Sequence, residues 1–130
     1  YIAAGNSTSI KNSFAVTTLV GSTSKGYVGG VLGCTKAGST VIENCYADCS
    51  MDATFPGGII GYNTAATTVK DCTYAGSGAT AICAGGTTAV TEEGTNSIVE
   101  EDLTATQIAT KLGWGSNEAW DLTGDSPKLK

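Results

Sequence analysis

The amino-acid sequence predicts an all-β fold, a parallel β-solenoid of about three coils that ends in a short helix and a capping segment. First, the block Gly-Gly-Val-Leu-Gly at 29–33 recurs as Gly-Gly-Ile-Ile-Gly at 57–61. Second, Ile-Glu-Asn-Cys-Tyr-Ala at 42–47 recurs as Val-Lys-Asp-Cys-Thr-Tyr at 69–74. Third, half of the 130 residues are Gly, Thr, Ala or Ser, which favours close backbone stacking over a thick core.

The repeated blocks have the composition of short strands. They are rich in β-branched and aromatic residues and are separated by Gly, Ser, Thr and Asn. An earlier copy of the second block stands at 10–15, and a weaker Gly-Gly pair stands at 85–86. A repeat of about 28 residues accommodates two or three strands, and successive coils would stack at about 4.8 Å.

The second block also predicts a corner. Strict strand alternation would put Glu43 and Cys45 on one face, whereas a corner at Asn44 lets Ile42 and Cys45 point inward and Tyr46 outward. Asn and Asp tolerate the left-handed backbone conformation of turns. Asn12, Asn44 and Asp71 are therefore expected at equivalent corners, the alternative being a straight strand with a bulge.

Four repeat glycines are predicted to be structural, because glycine suits positions where two backbones approach closely. They are Gly30, Gly33, Gly58 and Gly61.

The last 32 residues depart from the repeat, so the predicted boundaries are 1–98 for the solenoid and 99–130 for the cap. Thr104 and Gln107 form a capping-box pattern, which predicts a helix over about 105–112 with Gly113 as its stop. Trp114 and Trp120 follow, and we expect these large side chains to cover the open end of a thin core.

Composition excludes several classes of function. The sequence has no His and all seven of its cations are Lys, so His-based catalysis, His-containing metal sites and Arg clamps are absent. A net charge of −5 disfavours nucleic acid and anionic membranes as partners. No segment resembles a signal peptide or a membrane span, and the start at Tyr1 indicates a processed chain or a fragment. No cofactor is expected.

Five cysteines stand at 34, 45, 49, 72 and 83 without any C-x-x-C spacing, so a zinc site is not predicted. Cys45 and Cys72 are equivalent in the repeat and should stack in adjacent coils. They are predicted to be either buried thiols or a disulfide, since the stacking distance permits the bond.

Acidic and aromatic side chains are the remaining candidates for chemistry. Asp48, Asp52 and Asp71 could form a carboxylate pair for glycoside hydrolysis, although turn-forming and solvated roles explain them more simply. Calcium-loop spacing is absent. Four tyrosines are candidates for an exposed, ligand-contacting stripe suited to sugar or protein contact, although some of them could pack between coils: Tyr27, Tyr46, Tyr62 and Tyr74.

The repeats resemble the GLUG-motif repeats of large bacterial surface proteins, including adhesin-like proteins of Bacteroidetes. The likeness rests on 30–33 and 58–61, each followed by an aliphatic–x–Asn/Asp–Cys block, and on the Trp-containing C-terminal segment. Thr73 replaces the tyrosine of the preceding copy, which is a departure from the pattern. The resemblance implies a β-solenoid on a secreted or cell-surface protein, with an outer-membrane-anchored parent.

These observations lead us to expect a non-enzymatic extracellular module that serves adhesion, stalk or display functions and contacts a host glycan or protein. One alternative is a fragment of a carbohydrate-active β-helix enzyme that uses paired Asp residues. The other alternative is an inert spacer.

Overall fold

A computed structural model describes residues 6–20, 26–75, 78–79, 81–98, 103–113, 120–125 and 127–130. In chain order the elements are β1 (Ser7–Lys11), β2 (Phe14–Val20), β3 (Tyr27–Gly29), β4 (Leu32–Cys34), β5 (Ser39–Glu43), β6 (Tyr46–Asp52), β7 (Phe55–Asn63), β8 (Ala66–Lys70), β9 (Thr73–Ala75), β10 (Ala81–Gly86), β11 (Thr91–Glu93), β12 (Ser97–Ile98), α1 (Ala105–Lys111), β13 (Trp120–Asp121) and β14 (Lys128–Leu129).

The strands β1 to β12 form three parallel sheets, so the chain is an all-β parallel solenoid as predicted. The first sheet has the order β1-β5-β8-β11, and the second has β2-β6-β9-β12. In the third sheet β7 lies between β10 and the pair β3 and β4. In the described part of the chain, the strands visit the sheets in turn, which makes three coils and a fourth that is represented by β11 and β12.

The repeated glycine blocks lie directly on each other. Gly29 is the register partner of Gly57, and Leu32 is the partner of Ile60. The weaker pair at 85–86 lies elsewhere in the register, since Gly85 pairs with Tyr62. The prediction that 85–86 is the third copy of this block is therefore wrong, and Ala81 is the residue that pairs with Gly57.

All three predicted corner residues adopt the left-handed conformation, with φ of 50° at Asn12, 54° at Asn44 and 51° at Asp71. They follow the first-sheet strands β1, β5 and β8 and turn the chain into the second sheet. The Asn44 side-chain amide donates to Asn12 Oδ1 at 2.8 Å, so two successive corners are joined. The corner interpretation is confirmed and the bulge alternative is wrong.

The core is narrow and is built from columns of equivalent side chains. Ile42 and Val69 are register partners and are fully buried, and Cys45 and Cys72 lie one corner further along, also fully buried. The second block ends differently in the third coil, where Tyr74 pairs with the inward-facing Ala47. Because strand side chains alternate between faces, this one-residue displacement sends the Tyr74 ring into the core.

Glycine makes room for that ring. A Cβ on Gly58 would overlap the aromatic ring of Tyr74, and a Cβ on Gly30 would overlap the methyl group of Ala47. The same construction on Gly61 meets the backbone of Val28 at 2.6 Å. These positions are structural as predicted, whereas Gly33 is less crowded, its nearest atom lying 3.1 Å away.

The outer face of the first sheet carries a ladder of alternating charges. Lys11, Glu43, Lys70 and Glu93 occupy the same register position in four successive strands. Glu43 pairs with Lys11 at 2.5 Å and with Lys70 at 3.6 Å. A strand shifted by one residue would lose these pairs, so the ladder favours the observed register.

Among the described residues, β11 is the edge strand of the first sheet. Glu92 on this strand is the register partner of Val69 and therefore occupies the inward-facing column, where it is exposed. An inward-facing charge at a sheet edge opposes the addition of a further apolar strand. Glu92 therefore disfavours pairing of an apolar strand with β11.

Helix α1 has the predicted capping box, with Thr104 and Gln107 bonded reciprocally, and Leu112 is its C-cap. Its residues Ile108 and Leu112 pack against Tyr46 and Ala75 on the outer face of the second sheet. The helix therefore covers one side of the solenoid. The prediction that Trp114 and Trp120 cover the open end of the core stays a prediction. Trp114 lies outside the described residues, and Trp120 is described only as the first residue of β13.

The structure predicts a specific cost for crowding the core. We expect Gly58→Ala to lower the free energy of unfolding by about 1–3 kcal/mol, because the added methyl group meets the ring of Tyr74. Chemical denaturation measures this cost. In a Tyr74→Ala background the same substitution should cost much less, and an equal cost in both backgrounds would contradict the contact.

The charge ladder predicts a pH dependence. The hydrogen bond and charge of Lys11, aided by Lys70, lower the pKa of the Glu43 carboxyl. A lowered folded-state pKa gives stability above the unfolded-state pKa, which is lost as the pH falls through the folded value. We expect the free energy of unfolding to fall as the pH drops below about 4.5, the ordinary pKa of the carboxyl group, and passes through the lowered folded-state pKa, with a shallower fall in Glu43→Gln.

The matched control is Asp125→Asn, which removes a carboxylate outside the ladder. Its pH curve should keep the slope of the wild type, and high salt should shrink the difference between the wild type and Glu43→Gln because both partners are partly exposed. Indistinguishable curves for the two variants at low salt would rule out the ladder as the source.

Candidate functional site

Three aromatic rings form a cluster on the third sheet, which we call the aromatic patch: Tyr27, Phe55 and Tyr62. The rings of Tyr27 and Tyr62 stack with centroids 4.5 Å apart and an interplanar angle of 30°. Phe55 lies 5.4 Å from each of them, tilted toward Tyr27 and edge-on to Tyr62. Tyr27 is 39% exposed, and the other two rings are half-buried.

The glycine blocks bring these rings together. A Cβ on Gly57 would overlap the carbonyl oxygen of Ile60, three residues later, so β7 is tightly folded at this point. This local bend in β7 brings Tyr62 next to Phe55, although six residues lie between them in the sequence. On the neighbouring strand Gly85 leaves room for the rings, because a Cβ there would lie 2.8 Å from the Phe55 ring.

The aromatic patch offers an apolar ring face bordered by two phenolic hydroxyl groups. Such faces bind the apolar side of a sugar ring or an aliphatic side chain, while the hydroxyl groups can donate or accept hydrogen bonds. Mutual packing of the rings holds each in one orientation, which lowers the entropic cost of binding. The arrangement suits recognition by contact.

The other two predicted tyrosines do not join this surface. Tyr46 is fully buried beneath helix α1, and its hydroxyl oxygen accepts a hydrogen bond from the backbone of Leu103 at 3.3 Å. Tyr74 is 7% exposed inside the core, where burial and the nearby charge of Glu92 raise its pKa. The prediction of an exposed four-tyrosine stripe is wrong for these two residues, because helix α1 covers Tyr46 and the side chain of Tyr74 points into the core.

The acidic candidates are spread over the second sheet and its corner. Asp48 and Asp52 are four residues apart on the extended strand β6, a Cα separation of about 13 Å. Asp71 stands at a corner, where its Oδ1 accepts a hydrogen bond from the Thr95 backbone at 2.8 Å. The acidic candidates therefore lie on two different parts of the fold, strand β6 and the corner after β8.

An open polar cleft of about 450 Å³ lies beside the corners and the end of helix α1. Its lining residues are Asn12, Glu43, Asn44, Asp71, Thr95 and Lys111. The Asn44 amide donates to Asn12 and also to the Leu112 carbonyl oxygen at 2.9 Å. The Asn44 amide therefore joins the corner at Asn12 to the C-terminal end of helix α1.

One polar network in the core has no counterpart in the sequence predictions. Asn63 is fully buried, and its Oδ1 accepts hydrogen bonds from Thr35 at 2.5 Å and Thr67 at 2.8 Å. Its Nδ2 donates to the carbonyl oxygens of Ala65 and Thr88. The network joins three coils at the turn from the third sheet to the first. The sequence feature that could have indicated this network is the spacing of 28 residues between Thr35 and Asn63, which equals the spacing of the two glycine blocks.

Within the described part of the chain, no group of three or more Cys, Asp or Glu side chains could hold a metal ion. In the same residues no helix has both the length and the apolar character needed to span a membrane. All five cysteines are described and carry free thiols.

Comparison of the chain with protein-family models finds no match, and comparisons with curated proteins and with solved structures find none either.

The assignment of buried and exposed tyrosines predicts a labelling order. With limiting tetranitromethane, Tyr27 should be nitrated well before Tyr46 and Tyr74, because reagent access follows exposure. Peptide mass spectrometry would measure the extent at each site. Denatured chain is the control, in which the three sites should react alike, and early nitration of Tyr46 in the folded chain would contradict its burial beneath α1.

Proposed function

We propose that the chain is a non-enzymatic, extracellular repeat module of a bacterial surface protein that presents the aromatic patch to a host glycan or extracellular protein. The observation that carries this proposal is the exposed ring of Tyr27 stacked on Tyr62 at 4.5 Å. Partly exposed aromatic clusters on a rigid sheet are typical of contact surfaces.

The architecture supports a role in adhesion or display. The coils are hydrogen-bonded to each other and turn at corners of the same backbone geometry, and the buried network around Asn63 joins them further. This gives a stiff support for a binding surface. One patch of this size gives weak binding, and useful strength comes from several copies acting together. The likeness of the repeats to GLUG-motif proteins supports a cell-surface location in a larger, outer-membrane-anchored parent.

The net charge of −5 supports the choice of partner class. Neutral glycans and protein surfaces tolerate an acidic module, whereas nucleic acid and anionic membranes select for basic patches.

The proposal is tested by displaying the full chain on a tetrameric carrier and measuring binding to arrays of host glycans and extracellular matrix proteins. We expect Tyr27→Ala to weaken binding by about tenfold, since aromatic contacts contribute roughly 0.5–1.5 kcal/mol beyond their buried area. Tyr27→Phe should retain most of the binding if the ring face dominates.

The matched control is Val16→Ala, which alters an exposed side chain on the second sheet. It should bind like the unmodified chain. Binding that survives Tyr27→Ala would remove the aromatic patch from the proposal, and an empty array would leave the spacer interpretation. Release of reducing sugar from a bound glycan would instead support the enzyme interpretation.

A further inference from the structure

Cys45 and Cys72 form an isolated pair in the inward-facing column at the corners. The Thr73 backbone donates to the Cys45 carbonyl oxygen at 2.9 Å, so the two cysteines occupy equivalent places in adjacent coils. On the other side of Cys45 the equivalent residue is Ser13, whose carbonyl oxygen accepts from Tyr46. Beyond Cys72 the place is taken by Asn96, whose Oδ1 accepts from the Cys72 backbone. Each thiol therefore has one thiol neighbour in its column.

The geometry of the pair suits a disulfide. Adjacent parallel strands lie about 4.8 Å apart, and disulfides form when Cα atoms are about 4.4–6.8 Å apart. The two side chains have matching orientations, since Cys45 Sγ lies 3.4 Å from the Glu43 carbonyl oxygen and Cys72 Sγ lies 3.2 Å from that of Lys70. Both sulfur atoms therefore lie on the same side of their strands, facing the core.

The two thiols of the pair lie in a closed environment and interact with each other. Both residues are fully buried, as is Cys49. A hydrogen bond between the two side chains lowers the pKa of Cys45 and raises that of Cys72, so each thiol responds to the other. Burial raises the pKa of Cys49 and Cys83, which keeps these thiols protonated.

In the register that the structure describes, Cys49 has no thiol partner. It is the register partner of Thr17, so the residue beneath it in the first coil is not a thiol. Cys34 pairs with Tyr62 and Cys83 pairs with Ile60 in the third sheet. The register thus singles out one pair among the five cysteines.

We propose that Cys45 and Cys72 are a disulfide site that links the second and third coils when the chain folds in the presence of a small-molecule disulfide such as oxidised glutathione. The thiolate of one of these two cysteines attacks one glutathione sulfur, which forms a mixed disulfide and releases one glutathione thiolate. The other cysteine then attacks the protein sulfur of the mixed disulfide and releases the second glutathione thiolate. The S–S bond of glutathione breaks, the protein S–S bond forms, and the two cysteine protons end on the two glutathione thiols.

The timing of this reaction follows from burial. Since both thiols are fully buried in the folded chain, exchange occurs while the coils are still assembling, and the finished bond is shielded from external thiols. The bond closes a loop of one coil, which restricts the unfolded chain. This inference does not depend on the ligand of the aromatic patch and is tested without any ligand.

The experiment refolds the full chain in a mixture of oxidised and reduced glutathione, blocks free thiols with an alkylating reagent and maps the peptides by mass spectrometry. We expect one linked pair of peptides carrying Cys45 and Cys72, with the other three cysteines alkylated. Circular dichroism confirms that the oxidised chain is folded. The unfolding equilibrium constant should be smaller by roughly 10²-fold in the oxidised chain than in the reduced chain.

Cys83→Ser is the matched control and should give the same linked peptides, while Cys72→Ser should give none and should lose the stabilisation by oxidation. Two outcomes would overturn the proposal. One is a folded chain in which Cys45 and Cys72 are both alkylated after refolding with oxidised glutathione, and the other is a dominant link to any of the remaining cysteines.

Discussion

The hydrogen bonds between successive coils are the constraint on which the rest of this structure depends. Parallel pairing in register places each residue about 4.8 Å from its equivalents in the next coils. A position must then suit a whole column of neighbours as well as its own strand. The left-handed corners at Asn12, Asn44 and Asp71 illustrate this, because a corner displaced in one coil would break the pairing on both of its sides.

One column of charges and one contact across the core show how that constraint is satisfied by different chemistry. On the outer face of the first sheet, Lys11, Glu43 and Lys70 alternate in charge, since like charges directly opposite each other are destabilising. Inside the core, the space left by Gly58 on the third sheet is filled by the ring of Tyr74 on the second sheet. The column favours the register through charge and the core contact favours it through shape, and both penalise a slip of one residue.

The proposed binding surface and the proposed disulfide arise from the same stacking. The aromatic patch exists because the folded glycine block in β7 places Tyr62 beside Phe55, while the strand paired with it supplies Tyr27. The thiol pair exists because one column contains sulfur in two adjacent coils, between Ser13 and Asn96. The stack therefore supports recognition on an outer face and covalent reinforcement inside, and neither requires the other.

The sequence by itself determined the repeat, the corners, the stacked glycines and the capped helix, because each depends on local backbone preference or on a spacing that recurs along the chain. Only the tertiary structure decided which side chains remain exposed. Tyr46 lies beneath helix α1, Tyr74 turned inward after a one-residue displacement, and the pair at 85–86 settled opposite Tyr62. The burial of a side chain depends on contacts with segments that are distant in the sequence. The sequence of a short repeat unit does not specify those contacts.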